Sequence, residues 1–306
     1  MTTTSTPSGL RRAARRMLTA AVAGMLLATA AVAAPSEPAQ AAGYNGPHPG
    51  TFTGLGFDAC TAPSDAQMTA WLQSPYRAVG VYIGGVNRGC AQPNLTREWV
   101  ASQQAKGWRL FPLYVGLQAP CTTYLRRIDP AQAAAQGRAA ADDAAANALN
   151  LGIVLQSTII LDIEYYPSGN AACSAAVLSF SSAWSARLHD HGYLSGLYTS
   201  TGGGGLQDHV AAYGKPGHVS PDTLDFANWD GVKTVSDPTI PATYWVKRRM
   251  KQYQGDHDET WGGVTINIDS NYLDLELAPT RYRSGVITPS RPATRTVRPG
   301  SLRSPR

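Results

Sequence analysis

Hydrophobic and polar residues between positions 55 and 277 follow two alternating patterns. Short apolar runs have the length of buried strands, and longer stretches with helical periodicity follow most of them. The pattern predicts strands at Leu55–Cys60, Ala78–Gly84, Arg109–Gly116, Thr158–Tyr165, Tyr193–Tyr198, Leu224–Trp229, Met250–Gln254 and Val264–Ile268. It predicts helices at Ser64–Gln73, with Ser64 as the N-cap, and at Thr96–Lys106, Pro130–Leu149, Ala171–Asp190 and Gly205–Tyr213.

This alternation of strands and helices is typical of a parallel sheet covered by helices. Eight strands within about 225 residues favour closure into a single α/β domain, a (β/α)₈ barrel of the TIM type. An open doubly wound sheet gives the same pattern and is the alternative. In a barrel, functional residues lie where the strands end, at the carboxyl edge.

The first 42 residues differ from this central region. Met17–Ala34 is uncharged and consists of apolar or small residues, follows Arg15 and Arg16, and precedes a small-residue step at Ala39–Ala41. These features predict a twin-arginine-like export signal at 1–42. A membrane anchor is the alternative, but the weak hydrophobicity of Ala and Thr favours cleavage, which leaves no membrane span.

The remaining boundaries follow from composition and charge. Residues 43–54 are predicted to be a linker, 55–280 the barrel, and 281–306 an Arg- and Pro-rich disordered tail. The formal net charge of +5 comprises +3 from residues 1–42 and +7 from seven tail arginines, which leaves −5 for 43–280. An acidic domain argues against a nucleic-acid partner. The tail is either a simple solvated segment or an adhesive for anionic envelope polymers.

Four cysteines lie at or just after the ends of the first four predicted strands: Cys60, Cys90, Cys121 and Cys173. An even number in an exported chain indicates disulfides, for which three connectivities exist. Zinc-binding spacing is absent from the sequence. Because neighbouring loops meet at one edge of a barrel, pairing of Cys60 with Cys90 and of Cys121 with Cys173 is favoured.

Carboxylates occur at the same strand ends. Asp162 and Glu164 are two residues apart on the fourth strand, which puts both on one face. Asp58 ends the first strand and Asp269 the eighth, and these strands are neighbours in a closed barrel. A general acid beside an anionic stabiliser is what cleavage of a glycosidic bond requires. The alternative is that Asp58 and Asp269 simply cap loops.

Aromatic residues that a sugar ring contacts by stacking are also predicted at this edge, although each is equally compatible with core packing. They are Tyr82, Tyr114, Tyr165, Tyr166, Tyr198, Trp229 and Trp261. Of these, Trp229 is favoured as the sugar platform. The six histidines form neither a metal triad nor a serine–histidine pair in the sequence, so no metal or other cofactor is expected.

Six motifs in this order carry a family resemblance: Gly-Phe-Asp-Ala-Cys, Leu-Asp-Ile-Glu, Gly-Leu-Tyr, Phe-Ala-Asn-Trp, Gln-Tyr and Ile-Asp-Ser-Asn-Tyr. They resemble the glycoside-hydrolase-like domain of unknown function of exported actinobacterial proteins. That domain is similar to glycoside hydrolase family 25 lysozymes. Cys60 is a departure, because lysozymes more usually have a small polar residue there.

The resemblance implies roles for the acids. Glu164 would be the proton donor, and Asp162 would assist the substrate's 2-acetamido group in forming a cyclic intermediate. Asp58 and Asp269 would shape the subsite and tune both pKa values. Further candidates for substrate contact are Asn271, Gln252 and Tyr198.

The sequence therefore predicts a secreted or envelope-associated, monomeric glycoside hydrolase for an N-acetylated glycan, with peptidoglycan as the leading substrate. A glycan-binding protein on the same barrel, without turnover, is the alternative. A glycosidase for capsule or host polysaccharide is a third hypothesis.

Overall fold

The structure of the protein is a computed structural model, which describes residues 50–275. Its strands are β1 (Phe52–Asp58), β2 (Ala78–Gly84), β3 (Arg109–Tyr114), β4 (Thr158–Asp162), β5 (Leu194–Ser200), β6 (Thr223–Ala227), β7 (Arg248–Trp261) and β8 (Val264–Leu275). Its helices are α1 (Asp65–Ala70), continued by a 3₁₀ turn at Trp71–Gln73, α2 (Arg97–Ala105), α3 (Ala133–Asn150), α4 (Ala171–Asp190) and α5 (Gly204–Ala212). All predicted elements are present. The predicted export signal and the predicted tail lie outside the described residues.

The eight strands close into one barrel in chain order, which confirms the predicted TIM-like architecture. Strands β1 to β7 are parallel, but β8 is antiparallel to both β7 and β1. The expectation of an entirely parallel sheet is therefore wrong for the last strand. Gly262 and Gly263 have φ values of 59° and 77°, and a two-residue turn of this kind joins antiparallel strands directly.

The reversal of β8 changes how Asp269 reaches the carboxyl edge of the barrel. The outer parts of β7 and β8 pair only with each other, as a hairpin that reaches its turn after Trp261. Asp269 lies within β8 and not at its end, and it is the cross-strand partner of Asp58, the last residue of β1. The two acids are neighbours as predicted, through a strand that runs in the opposite direction.

Most of the strand boundaries differ from the predicted ones, and β7 and β8 are much longer than predicted. β1 begins at Phe52, so the predicted linker at 43–54 overlaps the first strand. β4 ends at Asp162 because the Gln118 side chain takes over the backbone pairing beyond it. Gln118 Nε2 donates to the Asp162 carbonyl (2.9 Å), and its Oε1 accepts from the Glu164 N–H (2.8 Å).

Helix starts and helix packing have local causes. Ser64 forms a capping box with Gln67 at the start of α1, as its N-cap prediction required. Gly137 of α3 lies against α4 so closely that a Cβ atom there would be 2.2 Å from the Phe180 carbonyl oxygen. The largest side chains buried between the helices and the barrel wall include Trp71, Trp108, Trp184 and Trp245.

Disulfides join Cys60 to Cys90 and Cys121 to Cys173, with Cα–Cα distances of 5.7 and 5.8 Å. The predicted connectivity is thereby confirmed. Each bond links the chain that follows one strand to the chain that follows a later strand, at the carboxyl edge. Within residues 50–275, no helix combines the length and the apolar character needed to cross a membrane.

Candidate active site

A cleft of about 210 Å³ lies at the carboxyl edge of the barrel. Its lining residues are Asp58, Tyr82, Leu113, Asp162, Glu164, Tyr198, Asp225, Trp229, Gln252 and Asp269. All four acids predicted as catalytic are among them. Five carboxyl groups line this cleft, and none of its lining residues in the described part of the chain is Lys, Arg or His.

Asp58 is buried and accepts three hydrogen bonds. Tyr82 Oη donates to Oδ1 (2.7 Å), while Asn271 Nδ2 (2.7 Å) and Gln252 Nε2 (3.3 Å) donate to Oδ2. Burial and the nearby charge of Asp269 raise the pKa of Asp58 to about 7, and the three donors oppose that rise. Asp58 is therefore a carboxyl group that titrates near neutrality.

Asp162 and Glu164 lie at the end of β4 and face the same cleft. Asp162 is buried, and its Oδ1 has no hydrogen-bond partner among the described residues. Burial raises its pKa well above the usual range, and the charges of Glu164, Asp58 and Asp225 add to the effect. Glu164 is half-buried, and its pKa is raised by burial and then by Asp269.

Asp269 is held on the opposite wall by two donors. Gln252 Nε2 donates to Oδ2 (3.3 Å), and the Asp256 backbone N–H donates to Oδ1 (2.6 Å). Burial raises the pKa of Asp269, and the backbone donor counteracts this effect. The Asp269 carboxyl group is thus held in place beside Asp58 as an acceptor of two hydrogen bonds.

Gln252 joins both walls of the cleft. Its Oε1 accepts from Tyr198 Oη (3.0 Å) and Trp229 Nε1 (2.9 Å), and its Nε2 donates to Asp58 and Asp269. Because these four bonds occupy the hydrogen-bonding capacity of the amide, its geometry fits a positioning role. This role differs from the direct substrate contact that the sequence predicts for Gln252.

Trp229 forms the exposed edge of the cleft. Its side chain is 62% exposed, although its Nε1 is fixed by Gln252. The ring lies against Gly255, where a Cβ atom would be 2.2 Å from the indole. An oriented, exposed indole is suited to stacking against a sugar ring.

The other predicted contact residues differ in their positions. Tyr82 and Tyr198 line the cleft. Asn271 is fully buried and reaches the cleft through its bond to Asp58. Tyr114 does not reach the cleft, because its Oη donates to Asp143 of α3 (2.8 Å) and its ring packs on Trp184. Its prediction as a sugar-contacting residue is therefore wrong.

Three further aromatic residues lie away from the cleft lining. Tyr165 is exposed, Tyr166 is buried and donates to Asp208 (2.7 Å), and Trp261 donates to Glu259 in the hairpin (2.8 Å). These three residues were predicted at the carboxyl edge with the others, but none of them lines the cleft.

Asp225 of β6 lines the candidate site, although it is not among the residues that the sequence predicts there. It is buried in the cleft wall, and burial and the charge of Asp58 raise its pKa well above the usual range. The sequence itself indicates a special position for Asp225, because this aspartate stands between Leu224 and Phe226 in an apolar strand. A charged residue at such a position needs a cleft or a partner.

The arrangement of acids defines what the cleft can do. Asp58 and Asp269 receive donors that stabilise their anions, whereas Glu164 is half-buried and its side chain has no hydrogen-bond partner within residues 50–275. Groups in such different environments can divide into an anionic stabiliser and a protonated general acid. No metal-binding group of three or more His, Cys, Asp or Glu side chains occurs within that same range.

The family model described as the Rv2525c-like, glycoside hydrolase-like domain matches residues 69–273. No curated protein matches the chain.

Solved structures with a similar fold include an uncharacterized protein of B. stearothermophilus. It has 19% identity and a TM-score of 0.50, over 72% of this chain and 95% of its own. The Clostridium perfringens spore cortex lytic enzyme SleM has 16% identity and a TM-score of 0.48, over 72% and 67%. A family 25 glycosyl hydrolase from Bacillus anthracis has 13% identity and a TM-score of 0.40, over 72% and 88%. At 19% identity, the first similarity concerns the fold alone.

Proposed function

The chain belongs to the family of Rv2525c-like, glycoside hydrolase-like domains, and we propose that it is a glycoside hydrolase that cleaves an N-acetylated glycan, with peptidoglycan as the leading substrate. The observation that carries this proposal is the position of Glu164. This half-buried acid without a side-chain partner lines the same cleft as Asp162, Asp58 and Asp269. Burial and the charge of Asp269 favour its protonated form.

In the proposed reaction, Glu164 donates its proton to the glycosidic oxygen as the bond to the sugar breaks. Asp162 orients the 2-acetamido group, whose carbonyl oxygen attacks the anomeric carbon and forms a cyclic intermediate. The ionised Glu164 then takes a proton from the water that opens this intermediate. Asp269, together with Asp58 in its ionised form, is fixed by Gln252 and stabilises the positive charge that develops on the sugar.

Trp229 supports the proposal as the binding platform. Its indole is exposed beside the acids, and its orientation is fixed by Gln252 and by the contact with Gly255. Sugar rings present C–H faces that pack on such a surface. We expect Trp229→Ala to weaken glycan binding and to leave folding intact.

We also propose that the protein acts as a monomer outside the cytoplasm, as a secreted or envelope-associated protein after twin-arginine export. Two disulfides support this location, because such bonds persist in oxidising compartments.

The test compares wild type with Glu164→Gln on purified peptidoglycan and on chitooligosaccharides. Release of reducing ends and soluble fragments is measured at matched folding. Loss of the proton donor is expected to lower the rate at least 100-fold, because general acid catalysis contributes about 10²–10⁴. Glu98→Gln is the control, since Glu98 is exposed on α2, away from the cleft.

Three results would change the assignment. Full activity of Glu164→Gln would reject Glu164 as the acid. Wild type that binds these glycans tightly without releasing reducing ends would favour the non-catalytic envelope-binding function. Release from capsular or host polysaccharide, but not from peptidoglycan, would keep the hydrolase and change its substrate.

A further inference from the structure

One carboxyl group of the cleft has no part in the proposed reaction. Asp225 is 2% exposed and lines the cleft from β6. Its Oδ1 atom has no hydrogen-bond partner within residues 50–275. Because buried polar atoms in folded proteins are nearly always paired, an unpaired buried oxygen on a residue that lines a cleft indicates a partner that comes with a ligand.

Asp162 on β4, two strands from Asp225, also has a buried carboxyl oxygen without a partner within residues 50–275. In the barrel register Asp162 is paired with Tyr198, and Tyr198 is paired with Asp225. Adjacent strands are about 4.8 Å apart, so the two carboxyl groups flank Tyr198 within roughly 10 Å of each other. The Oδ1 atom of Asp162 is unpaired among the described residues as well.

The protein donors nearby are already used. Tyr198 Oη donates to Gln252, while Tyr82 Oη and Asn271 Nδ2 donate to Asp58. The cleft lining described here contains no cationic side chain. No described residue donates to the Oδ1 atoms of Asp225 and Asp162, so a bound molecule is the remaining source of donors.

The chemistry of that molecule follows from the same lining. It must supply O–H or N–H groups, because carboxyl oxygens at these positions lack donors. It must not carry an ionised acid, because the described cleft lining has no cationic side chain to balance that charge and any ionised carboxyl group among the five would repel it. A neutral sugar residue meets both conditions, and the proposed function makes that residue an amino sugar.

We propose that Asp225 and Asp162 form a two-carboxyl subsite for a neutral amino-sugar residue, in which Asp225 accepts a hydrogen bond from a ring hydroxyl group. This subsite rests on the proposed function and deepens it. It makes Asp225 a substrate-contacting residue, and it excludes sugars that carry an ionised carboxylate from this position.

The test measures affinity for the tetramer of N-acetylglucosamine by titration calorimetry, in a Glu164→Gln background that prevents turnover. Asp225→Asn retains hydrogen-bonding groups of the same shape and is expected to bind within about threefold of the parent. Asp225→Leu removes them and is expected to bind at least tenfold more weakly. Its melting temperature should equal or exceed that of the parent, because an unpaired buried carboxyl group is replaced by an apolar one.

Asp208→Leu is the matched control. Asp208 accepts a hydrogen bond from Tyr166 (2.7 Å) and does not line the cleft. We expect this variant to melt at a lower temperature and to keep its affinity. This pattern is the reverse of that expected for Asp225→Leu. If Asp225→Leu does not fold, Asp225→Ala replaces it with the same expected loss of affinity.

The possible failures are distinguishable. Unchanged affinity of folded Asp225→Leu would overturn the role of Asp225 alone. Binding of a galacturonic acid tetramer as tightly as the neutral tetramer would overturn the exclusion of acidic sugars. If wild type binds the neutral tetramer but cleaves no glycan, the proposed hydrolase function would be rejected and the subsite would be supported. Wild type without affinity for any amino-sugar oligomer would overturn both.

Discussion

Hydrogen bonds to individual side chains give the acids of the cleft different properties. Asp58 accepts from Tyr82, Asn271 and Gln252, whereas Oδ1 of Asp162 and of Asp225 has no partner among the described residues. Burial raises the pKa of all three, and the donors to Asp58 oppose that rise. Similar residues can therefore have separate chemical roles within one small volume.

The pH dependence of activity tests the link between Asp269 and Glu164. Burial and then the charge of Asp269 raise the pKa of Glu164. Asp269→Asn removes that charge, so the pKa of Glu164 falls and its protonated form is lost at lower pH. We expect the alkaline limb of the kcat/KM profile, measured by reducing-end release, to move to lower pH.

Asp258→Asn serves as the control for this experiment, because Asp258 is exposed on the hairpin and accepts from Asn267 (3.0 Å). Its alkaline limb should coincide with that of wild type. An Asp269→Asn profile with an unmoved alkaline limb would contradict the electrostatic coupling.

At the scale of elements, the loop between β6 and β7 carries Trp229 and is fixed by a buried cation. Lys251 of β7 is 1% exposed, and its Nζ donates to Asp230 Oδ1 (2.6 Å) and to the Val232 carbonyl (3.2 Å). The Gly231 N–H donates to the Tyr253 carbonyl (3.0 Å). The loop is thus attached to β7 at the three residues that directly follow Trp229.

Lys251→Met should release this loop while preserving the apolar stem of the side chain. We expect faster amide hydrogen exchange at residues 228–235, several-fold weaker glycan binding, and a loss of about 1–2 kcal/mol in the free energy of unfolding. Lys106→Met is the comparison, because the Lys106–Asp65 pair lies at the surface and such pairs contribute little. Equal exchange rates in wild type and Lys251→Met would refute the role of Lys251.

At the scale of the whole molecule, the two disulfides constrain the half of the carboxyl edge that follows β1 to β4. Cys60–Cys90 spans 30 residues of sequence and Cys121–Cys173 spans 52. Because a cross-link reduces the entropy of the unfolded chain, the longer span is expected to stabilise more.

Replacing both cysteines of one bond by serine measures this contribution. Cys121→Ser with Cys173→Ser should lower the free energy of unfolding by about 4 kcal/mol, and the Cys60 and Cys90 pair by slightly less. Urea unfolding of both double variants, with far-UV circular dichroism as the check on the barrel, gives the comparison. A larger loss from the shorter span would show that local packing outweighs chain entropy.

The local patterns of the sequence were sufficient for the barrel, because strand and helix periodicity and caps such as Ser64 act over a few residues. They were also sufficient for the shared face of Asp162 and Glu164, since a period of two follows from strand geometry. The Gly262-Gly263 pair that reverses the chain before β8 also stands in the sequence between the last two predicted strands, but it was not used as a turn signal.

Tertiary structure alone decided which side chains face the cleft. Both faces of a barrel strand are buried, one against the interior and one against helices, so an apolar pattern does not distinguish inward from outward positions. Tyr82 consequently reached the cleft and Tyr114 packed against α3 and α4, although both had the same prediction. The place of Asp225 in the cleft and the hydrogen bonds of the Gln252 amide could not be predicted for a related reason. Both depend on strands that are distant in the chain and meet only when the barrel closes.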